Sequence, residues 1–204
     1  MIKCKYLSAM DEFQAILKNI ARFIQLTEEE ANYFTGLLRI TKVRKKQFIV
    51  QPEFVCKYRS YVFQGAMRAY FVDAGGQDHT IAFAIEDWFI SDFNSYLFQQ
   101  PATLFVEAME DSILVQLDYQ SEQLLMQQVP KFEQFFRIIA QRSLAFMQRR
   151  MLSNLAMTAE ERYNEFIDKY PAIANKVPQY TLASYLGMTT EFLSKIRNGK
   201  LKKS

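Results

Sequence analysis

Hydrophobic residues follow two different periods along the chain, and the first is the period of a β-strand. Between residues 40 and 117, apolar side chains alternate with polar or small ones, as around Ile81 and Phe83, which is typical of strands that bury one face. Turn sequences interrupt the alternation at Gly65 and Gly76, because glycine readily adopts the backbone angles of tight turns. Several short strands at this spacing predict an antiparallel β-roll or barrel.

After Pro130 the period becomes that of an α-helix. Apolar residues then form two neighbouring stripes, Phe132, Phe136, Ile139 and Phe146 on one and Ala140, Leu144, Met147, Met151 and Leu155 on the other. A helix with two apolar faces needs two partners, and its own β domain supplies only one, so we expect a homodimer. A helix buried wholly within one monomer is the alternative.

Two capping boxes mark further helix starts. Thr27 precedes Glu30, and Thr158 precedes Glu161, each at the spacing at which the two residues satisfy each other's free backbone N–H groups. The first box predicts a short helix, and the second predicts a helix that ends before Pro171. The last part of the chain is therefore predicted to be a separate helical unit.

Residues 179–198 match the helix-turn-helix pattern, in which two helices cross closely around a tight turn. Ala183 is small where the helices approach, and Gly187 suits a turn position with positive φ. The buried positions of the pattern hold the apolar residues Leu182, Leu186, Met188, Leu193 and Ile196. Thr189 is a suitable N-cap for the second helix.

The outward face of that second helix, over 189–198, is expected to enter the major groove of DNA. Next to Thr189, its candidate base contacts are Thr190, Glu191, Ser194, Lys195 and Asn198. The candidate contacts to the DNA backbone are Tyr180, Arg197, Lys200, Lys202 and Lys203. Glu191 can accept a hydrogen bond from cytosine, and Lys195 can donate one to guanine. A structural helical hairpin with a charged face is the alternative.

The net charge of +3 conceals an uneven distribution. Residues 1–130 carry 12 basic and 16 acidic side chains, whereas residues 131–204 carry 13 basic and 6 acidic ones. The positive charge therefore lies in the part that contains the helix-turn-helix pattern, as expected for a nucleic-acid partner. A solvated basic face produces the same distribution, so charge alone does not decide between them.

Three sequence words stand out in this C-terminal part: Ala159-Glu160-Glu161-Arg162-Tyr163, Val177-Pro178-Gln179-Tyr180 and Ala183-Ser184-Tyr185-Leu186-Gly187-Met188-Thr189. With them, the chain resembles the Crp/Fnr family of transcription regulators over nearly its whole length, in particular a subgroup common in Bacteroidetes-type bacteria. Residues 61–68 resemble the strand-turn-strand of that family's β-roll.

The resemblance implies an α+β fold with an antiparallel β-roll like that of cyclic-nucleotide-binding domains. The expected parts are a β-roll effector or sensor domain over 1–129, a dimerisation helix over 130–157 and a helix-turn-helix DNA-binding domain over 158–204. It also implies double-stranded DNA and RNA polymerase as partners. Family members usually continue into a β-hairpin wing after the recognition helix, and we expect this wing to be missing before Ser204.

The recognition helix departs from the family pattern. Members of the family typically present Arg-Glu and then Arg on this helix. The corresponding residues here are Thr190, Glu191 and Lys195. Glu191 matches, whereas a lysine at position 195 lacks the planar fork that arginine offers to guanine. The preferred DNA sequence is therefore expected to differ from that of the best-known members.

Cyclic-nucleotide-binding relatives hold the ribose with a Gly-Glu-Leu turn and the phosphate with an Arg-Ser or Arg-Thr pair. The corresponding stretches here, 88–93 and 100–103, contain neither. No Lys or Arg lies between Asp87 and Thr103, and Asp87 and Asp92 would repel a phosphate. We therefore expect no tight binding of cyclic AMP or cyclic GMP, and no cofactor.

The same stretch is rich in aromatic residues, which are suited to line a pocket for an apolar or aromatic effector. The candidate pocket residues are Trp88, Phe89, Phe93, Tyr96 and Thr103, with Phe98 nearby. The alternative is that these side chains fill the core of the β-roll. The sequence does not identify the effector.

Few residues offer other chemistry. Cys4 and Cys56 have no close partners at zinc-ligand spacing and cannot hold a four-cysteine iron–sulfur cluster, so we expect ordinary reduced thiols. His79, beside Asp78, is the candidate for a haem ligand, and a solvated turn histidine is the alternative. With one histidine and no nucleophile motif, we expect no enzyme, no catalytic residue and no metal site.

No segment has the roughly 20 apolar residues that span a bilayer, and the start lacks the apolar stretch of a signal peptide. We therefore expect a cytoplasmic protein without a membrane partner. The predicted function is a DNA-binding transcription regulator whose dimer reads a palindromic site, modulated by an effector other than cyclic AMP. The alternative is a dimeric β-roll ligand-binding or adaptor protein without specific DNA binding.

Overall fold

The structure is a computed structural model that describes the backbone of residues 3–199 and the side chains of residues 11–199. Its elements in chain order are α1 (Lys3–Ile20), α2 (Glu28–Gly36), β1 (Arg39–Val43), β2 (Phe48–Val50), β3 (Tyr58–Gln64), β4 (Met67–Val72), β5 (Asp78–Ala84), β6 (Phe89–Ile90), α3 (Phe93–Phe98), β7 (Phe105–Ala108), β8 (Ser112–Asp118), α4 (Tyr119–Gln128), α5 (Lys131–Ala156), α6 (Ala159–Lys169), α7 (Pro171–Lys176), α8 (Gln179–Leu186) and α9 (Thr190–Arg197). Within the described range, every element after β8 is a helix.

The strands form two four-stranded sheets, ordered β1-β8-β3-β6 and β2-β7-β4-β5. β8 is an inner strand of the first sheet and runs antiparallel to both of its neighbours. It pairs with β1, where Arg39 lies opposite Gln116, and with β3, where Tyr58 lies opposite Asp118. The β2–β7 and β3–β6 pairs are antiparallel as well. The predicted α+β fold with an antiparallel β-roll is confirmed.

The turn between β3 and β4 requires glycine. Gly65 has a φ of +105°, and a Cβ atom at this position would lie 2.2 Å from Ser112 Oγ, so a side chain meets both backbone strain and a clash. Gly76, with a φ of +81°, lies in the turn between β4 and β5. In that turn Asp73 Oδ1 accepts the N–H of Gln77 at 3.0 Å. Both predicted turns are confirmed.

The hydrophobic core of the sheet-containing part gathers residues from helices at both ends of the strand region. Its members are Ile16, Ile20, Ile24, Phe34, Tyr61, Val115, Leu117, Leu125, Val129, Phe132 and Phe135. α2 begins at the first predicted capping box, where Thr27 Oγ1 accepts the N–H of Glu30 and Glu30 Oε2 accepts the N–H of Thr27. That prediction is confirmed.

Three helices of this part were not predicted: α1, α3 and α4. α1 contributes Ile16 and Ile20 to the core, although no cap or turn signal marks its start. The change from strand to helix, which the sequence analysis places after Pro130, occurs earlier in the structure, because α4 begins at Tyr119. Asp118 ends β8 and caps α4, and its side chain accepts the N–H of Ser121, so strand and helix meet without a loop.

α5 is one continuous helix of 26 residues, as predicted. On its first apolar stripe, Phe132 is fully buried, while Phe136 and Ile139 pack against the core. The second stripe remains exposed, with exposed fractions of 58% for Leu144, 52% for Met147, 65% for Met151 and 80% for Leu155. The described chain therefore does not bury both stripes by itself.

The described residues divide into two compact units. The N-terminal unit comprises residues of Met1–Ala69 and Phe83–Arg142, and the C-terminal unit comprises residues of Tyr70–Ala82 and Ser143–Ser204. The C-terminal unit thus combines the hairpin between β4 and β5 with the second half of α5 and helices α6 to α9. The division into parts at residues 129 and 157 stays a prediction.

Beyond α5, the C-terminal unit contains four short helices, of which α6 and α9 have side-chain N-caps. α6 begins at the second predicted capping box, where Thr158 Oγ1 accepts the N–H of Glu161 and Glu161 Oε2 accepts the N–H of Thr158. α6 ends before Pro171, as predicted, and this proline starts α7. Proline is tolerated there because the N–H group of the first residue of a helix has no acceptor within the helix. No helix among residues 3–199 has the length and hydrophobicity that crossing a membrane requires.

Candidate nucleic-acid interface

The turn between α8 and α9 has the backbone geometry of a helix-turn-helix. Gly187 follows α8 in the left-handed conformation, with a φ of +66°, and its N–H donates to Ser184 O at 3.2 Å. Thr189 caps α9, since its Oγ1 accepts the N–H of Phe192 at 3.2 Å. The predicted roles of Gly187 as the turn residue and of Thr189 as the N-cap are confirmed.

The two helices are held in the C-terminal unit by their predicted apolar positions. Less than a tenth of the surface is exposed at Leu182, Ala183, Leu186, Leu193 and Ile196. Met188 is only half-buried, so its prediction as a buried position is wrong. Thr181 and Tyr185 on α8 are buried as well, although the pattern does not require it.

The outward face of α9 carries the predicted base-contact residues. Thr190, Glu191, Lys195 and Asn198 are exposed, and Ser194 is half-buried. Together with Gln179, which the helix-turn-helix pattern does not mark, these five side chains line one open depression. The predicted base-contact residues are thus brought together on a single surface. Every side chain that lines this surface is polar or charged.

The candidate contacts to the DNA backbone flank this surface. Tyr180 at the start of α8 is 50% exposed, and Arg197 at the end of α9 is exposed. Lys200, Lys202 and Lys203 lie outside the described residues, and so does any structure in the place of the wing. The contact roles of all these residues stay predictions.

Arg150 on α5 joins α8 to the hairpin between β4 and β5, a function that the sequence did not reveal. Its guanidinium donates to the carbonyl oxygens of Thr80 at 3.2 Å, of Ile81, and of Tyr185 at 3.0 Å. It also lies over the Tyr185 ring, 4.0 Å from the centroid, and burial lowers its pKa. A charged residue between apolar Met147 and Met151 was the signal that could have marked it.

Ser184 makes the second connection between α8 and the hairpin. Its Oγ accepts the N–H of Thr80 at 2.9 Å and donates to Asp78 O at 2.7 Å. Ser184 thereby satisfies two backbone groups of β5, which is the last strand of its sheet, in the place of a neighbouring strand. The hairpin therefore fixes the first helix of the helix-turn-helix within the C-terminal unit.

In the N-terminal unit, the predicted effector-pocket residues occupy different surroundings. Tyr96 is fully buried, and its hydroxyl donates to Glu122 Oε2 at 2.9 Å. Glu122 also accepts two hydrogen bonds from Arg59, at 2.6 and 2.8 Å. Burial, followed by the charge of Glu122, raises the pKa of Tyr96. Phe93 lies on the same short helix, with its ring 5.3 Å from the Arg59 guanidinium carbon.

The other candidates do not complete an enclosed site around these two. Phe89 packs against Tyr61 and Phe135, with ring centroids 5.3 and 6.1 Å apart. Trp88 is half-buried and Thr103 is exposed. A cavity of only about 10 Å³ adjoins Phe89, which is about the space of one water molecule. The pocket assignment stays a prediction.

Asp92 lies in the stretch 88–93, which the family resemblance matches to the turn that holds the ribose, and it contacts the second stretch at Thr103. It is 1% exposed, and its carboxylate accepts three backbone N–H groups. They belong to Ser95 at 3.1 Å, Thr103 at 2.9 Å and Leu104 at 3.1 Å. A built-in anion thus already engages the donors that converge in this loop.

The remaining candidates for chemistry have local partners. Cys56 is buried, with its Sγ 3.1 Å from Ser91 Oγ, whereas the Cys4 side chain lies outside the described residues. His79 Nε2 lies 2.7 Å from Asp73 Oδ2, and its ring stacks on Phe71 with centroids 4.8 Å apart. Among the residues that the structure describes, no group of three or more His, Cys, Asp or Glu side chains could hold a metal ion.

Several solved structures superimpose on this chain over most of its length. FixK2 from Bradyrhizobium japonicum superimposes with a TM-score of 0.71 at 19% identity, over 79% of this chain and 83% of its own. A Crp/Fnr-family transcriptional regulator from Eubacterium rectale gives a TM-score of 0.66 at 14% identity, over 88% of each chain. The chain has the Crp/Fnr fold.

The Crp/Fnr fold therefore confirms the architecture that the sequence words implied. The similarity extends to the c-di-GMP-responsive global regulator CLP of Xanthomonas campestris, with a TM-score of 0.66 at 11% identity over 85% of this chain and 91% of that one. The sequence matches no protein-family model and no curated protein. At these identities the comparisons concern the fold alone.

Proposed function

We propose that the chain is a DNA-binding transcription regulator whose homodimer reads a palindromic site through α9. The observation that carries this proposal is the exposed polar face of α9, which stands on a capped helix-turn-helix with a left-handed glycine at its turn. A second helix with this placement is the element that enters the major groove in helix-turn-helix proteins. The Crp/Fnr fold supports the same proposal.

The chemistry of the face suits base recognition. Glu191 can accept a hydrogen bond from the amino group of cytosine, and Lys195 can donate one to guanine O6 or N7. Thr190 at the first turn of α9 can donate to a phosphate, near the positive end of the helix dipole. Tyr180 and Arg197 supply contacts to the DNA backbone on either side of the base-reading residues.

The exposed stripe of α5 supports the homodimer. Leu144, Met147 and Met151 recur at the spacing of a coiled-coil seam, Leu155 continues the same stripe, and all four are more than half exposed in the described chain. Pairing of two copies through this stripe buries apolar surface that is otherwise in contact with water. A symmetric dimer presents two α9 helices to half-sites about one turn of DNA apart.

We also propose that the β-roll binds neither cyclic AMP nor cyclic GMP tightly. The support is Asp92, whose buried carboxylate takes up three converging backbone donors and would repel a phosphate. By family resemblance, we propose that the β-roll responds to an effector of another kind and that the protein contacts RNA polymerase. The proposed function is regulation and not catalysis.

The test is selection of bound DNA from a random pool, followed by fluorescence-anisotropy titrations of the selected site across a salt series. We expect a palindromic motif and a steep fall of affinity with salt, because the contacts displace counterions from the phosphates. A scrambled duplex of equal length is the control. Recovery of no motif, with equal binding to both duplexes, would favour the β-roll ligand-binding or adaptor protein without specific DNA binding.

A further inference from the structure

A small cavity lies within the C-terminal unit between α5, α6 and α8. Its volume is about 60 Å³, more than the roughly 15 Å³ that one water molecule requires and less than the roughly 150 Å³ that holds benzene. It is partly open to solvent and lined mainly by apolar surface, with Phe146 and Tyr170 among its walls. The space suits a small head group, while a larger ligand body would lie at the mouth.

The cavity has an excess of positive charge. Arg149, Arg150, Arg162 and Lys169 line it together with one carboxylate, Glu165. Lys169 pairs with that carboxylate, and its hydrogen bond lowers the pKa of Glu165. Among the described residues, no carboxylate lies within ion-pair distance of any of the three arginines, although the charge of Arg149 also helps to lower the pKa of Glu165. Positive charges that outnumber the carboxylates of a partly enclosed site favour the binding of an anion.

Two of these arginines hold the end of α8. Arg150 donates to Tyr185 O, and Arg162 Nε donates to Leu186 O at 3.1 Å. Arg162 Nη1 also donates to Met157 O at 2.7 Å. These acceptors are neutral carbonyls, and a guanidinium has five N–H donors, so both side chains retain donor capacity. Arg149, which is exposed, makes no hydrogen bond to another described residue.

We propose that this cavity binds the phosphate or carboxylate group of a small ligand, with Arg149 and Arg162 as its direct contacts. The buried charge of Arg150 adds to the attraction without the need for a hydrogen bond. An anion that binds the free N–H groups of Arg162 draws the guanidinium away from Leu186 O, the last carbonyl of α8 before the turn at Gly187. Ligand binding is therefore expected to loosen the hold of α6 on the helix-turn-helix and to change its affinity for DNA.

The test titrates the full-length protein, without DNA, with inorganic phosphate and separately with acetate at constant ionic strength. Two-dimensional NMR follows the backbone amides and the arginine Nε–H signals. We expect saturable shifts around α6 and the end of α8 for at least one probe. Arg149→Gln and Arg162→Gln should each weaken binding about tenfold or more, as expected for a lost charge-assisted hydrogen bond.

Arg137→Gln is the matched control, because Arg137 is exposed on α5 in the other unit and bonds only to Gln141 among the described residues. It should bind the probes as the wild type does. Since Arg149 has no hydrogen bond to lose, its variant keeps the test valid if Arg162→Gln unfolds. Shifts that do not saturate, or equal weakening by Arg137→Gln and Arg149→Gln, would overturn the proposal. Neither result depends on DNA binding.

Discussion

The guanidinium of Arg150 lies 4.0 Å from the centroid of the Tyr185 ring and donates to the Tyr185 carbonyl oxygen at 3.0 Å. One side chain thus contacts both the aromatic face and the backbone of the same residue on α8. Through its bonds to Thr80 and Ile81 it also fixes the β4–β5 hairpin. A cation without a carboxylate partner among the described residues therefore organises the C-terminal unit around the first helix of the helix-turn-helix.

Substitution of Arg150 by methionine should loosen this unit locally. Three carbonyl oxygens lose their donor, and methionine fills similar volume without replacing it, so we expect the free energy of local opening to fall by about 2–4 kcal/mol. Hydrogen exchange measured by mass spectrometry should show faster exchange in the hairpin and α8. Arg149→Met, at an exposed neighbouring position, is the control and should leave exchange unchanged. Equal exchange in the two variants would contradict the role of Arg150.

Sequence reasoning succeeded where the decisive contacts are local. The capping boxes at Thr27 and Thr158, the turn at Gly187 and the N-cap Thr189 each depend on residues within about four positions, and their chemistry can be read directly from residue types. The helix-turn-helix is built from such signals, and so its boundaries and most of its buried positions could be predicted.

The sequence did not reveal contacts that join distant parts of the chain. Arg150 reaches Thr80 across 70 positions, and no period or spacing marks that pair. Asp92 was predicted to repel a phosphate, but its three backbone donors became visible only in the folded loop. α1 was missed because it lacks a recognisable cap, and its place in the core depends on packing against the sheet.

Asp87 should make stability depend on pH in the acidic range. Burial alone raises the pKa of its carboxyl, but hydrogen bonds from the Tyr61 hydroxyl at 2.6 Å and from Arg22 at 2.9 Å outweigh burial and lower it. A folded-state pKa below that of the unfolded chain, which is about 3.9, gives stability that is present above that pH. This stability is lost as the pH falls through the folded-state value.

The measurement compares urea unfolding of the wild type and Asp87→Asn between pH 7 and pH 2. We expect the wild type to be more stable at neutral pH and the difference to shrink progressively below about pH 4. The effect should be modest, because the Asp87 side chain is 44% exposed and solvent screens its ion pair. A difference that stays constant over the whole range would show that the charge of Asp87 is not responsible.

The exposed stripe of α5 leads to a prediction about assembly. Met151→Glu places a charge in the centre of the proposed dimer seam, where it must be desolvated without a partner, so the dimer should dissociate at least about a hundredfold more readily. Light scattering at micromolar concentration should give twice the mass of one chain for the wild type and the mass of one chain for the variant. Ala145→Glu, at an exposed position off the stripe, should remain dimeric. A monomeric wild type would contradict the proposed dimer.

Lys195 and Arg197 separate base reading from backbone contact on the same helix. Lys195 lies in the depression with Glu191 and Asn198, so Lys195→Ala should weaken binding to the selected site by roughly ten- to a hundredfold and relax the base preference at one position of each half-site. Arg197→Ala should instead weaken selected and scrambled duplexes alike and reduce the salt slope by about one. Anisotropy titrations on both duplexes distinguish these outcomes. If Lys195→Ala leaves the ratio of the two affinities unchanged, α9 does not read bases through this residue, whereas a loss confined to the selected duplex assigns it to sequence recognition.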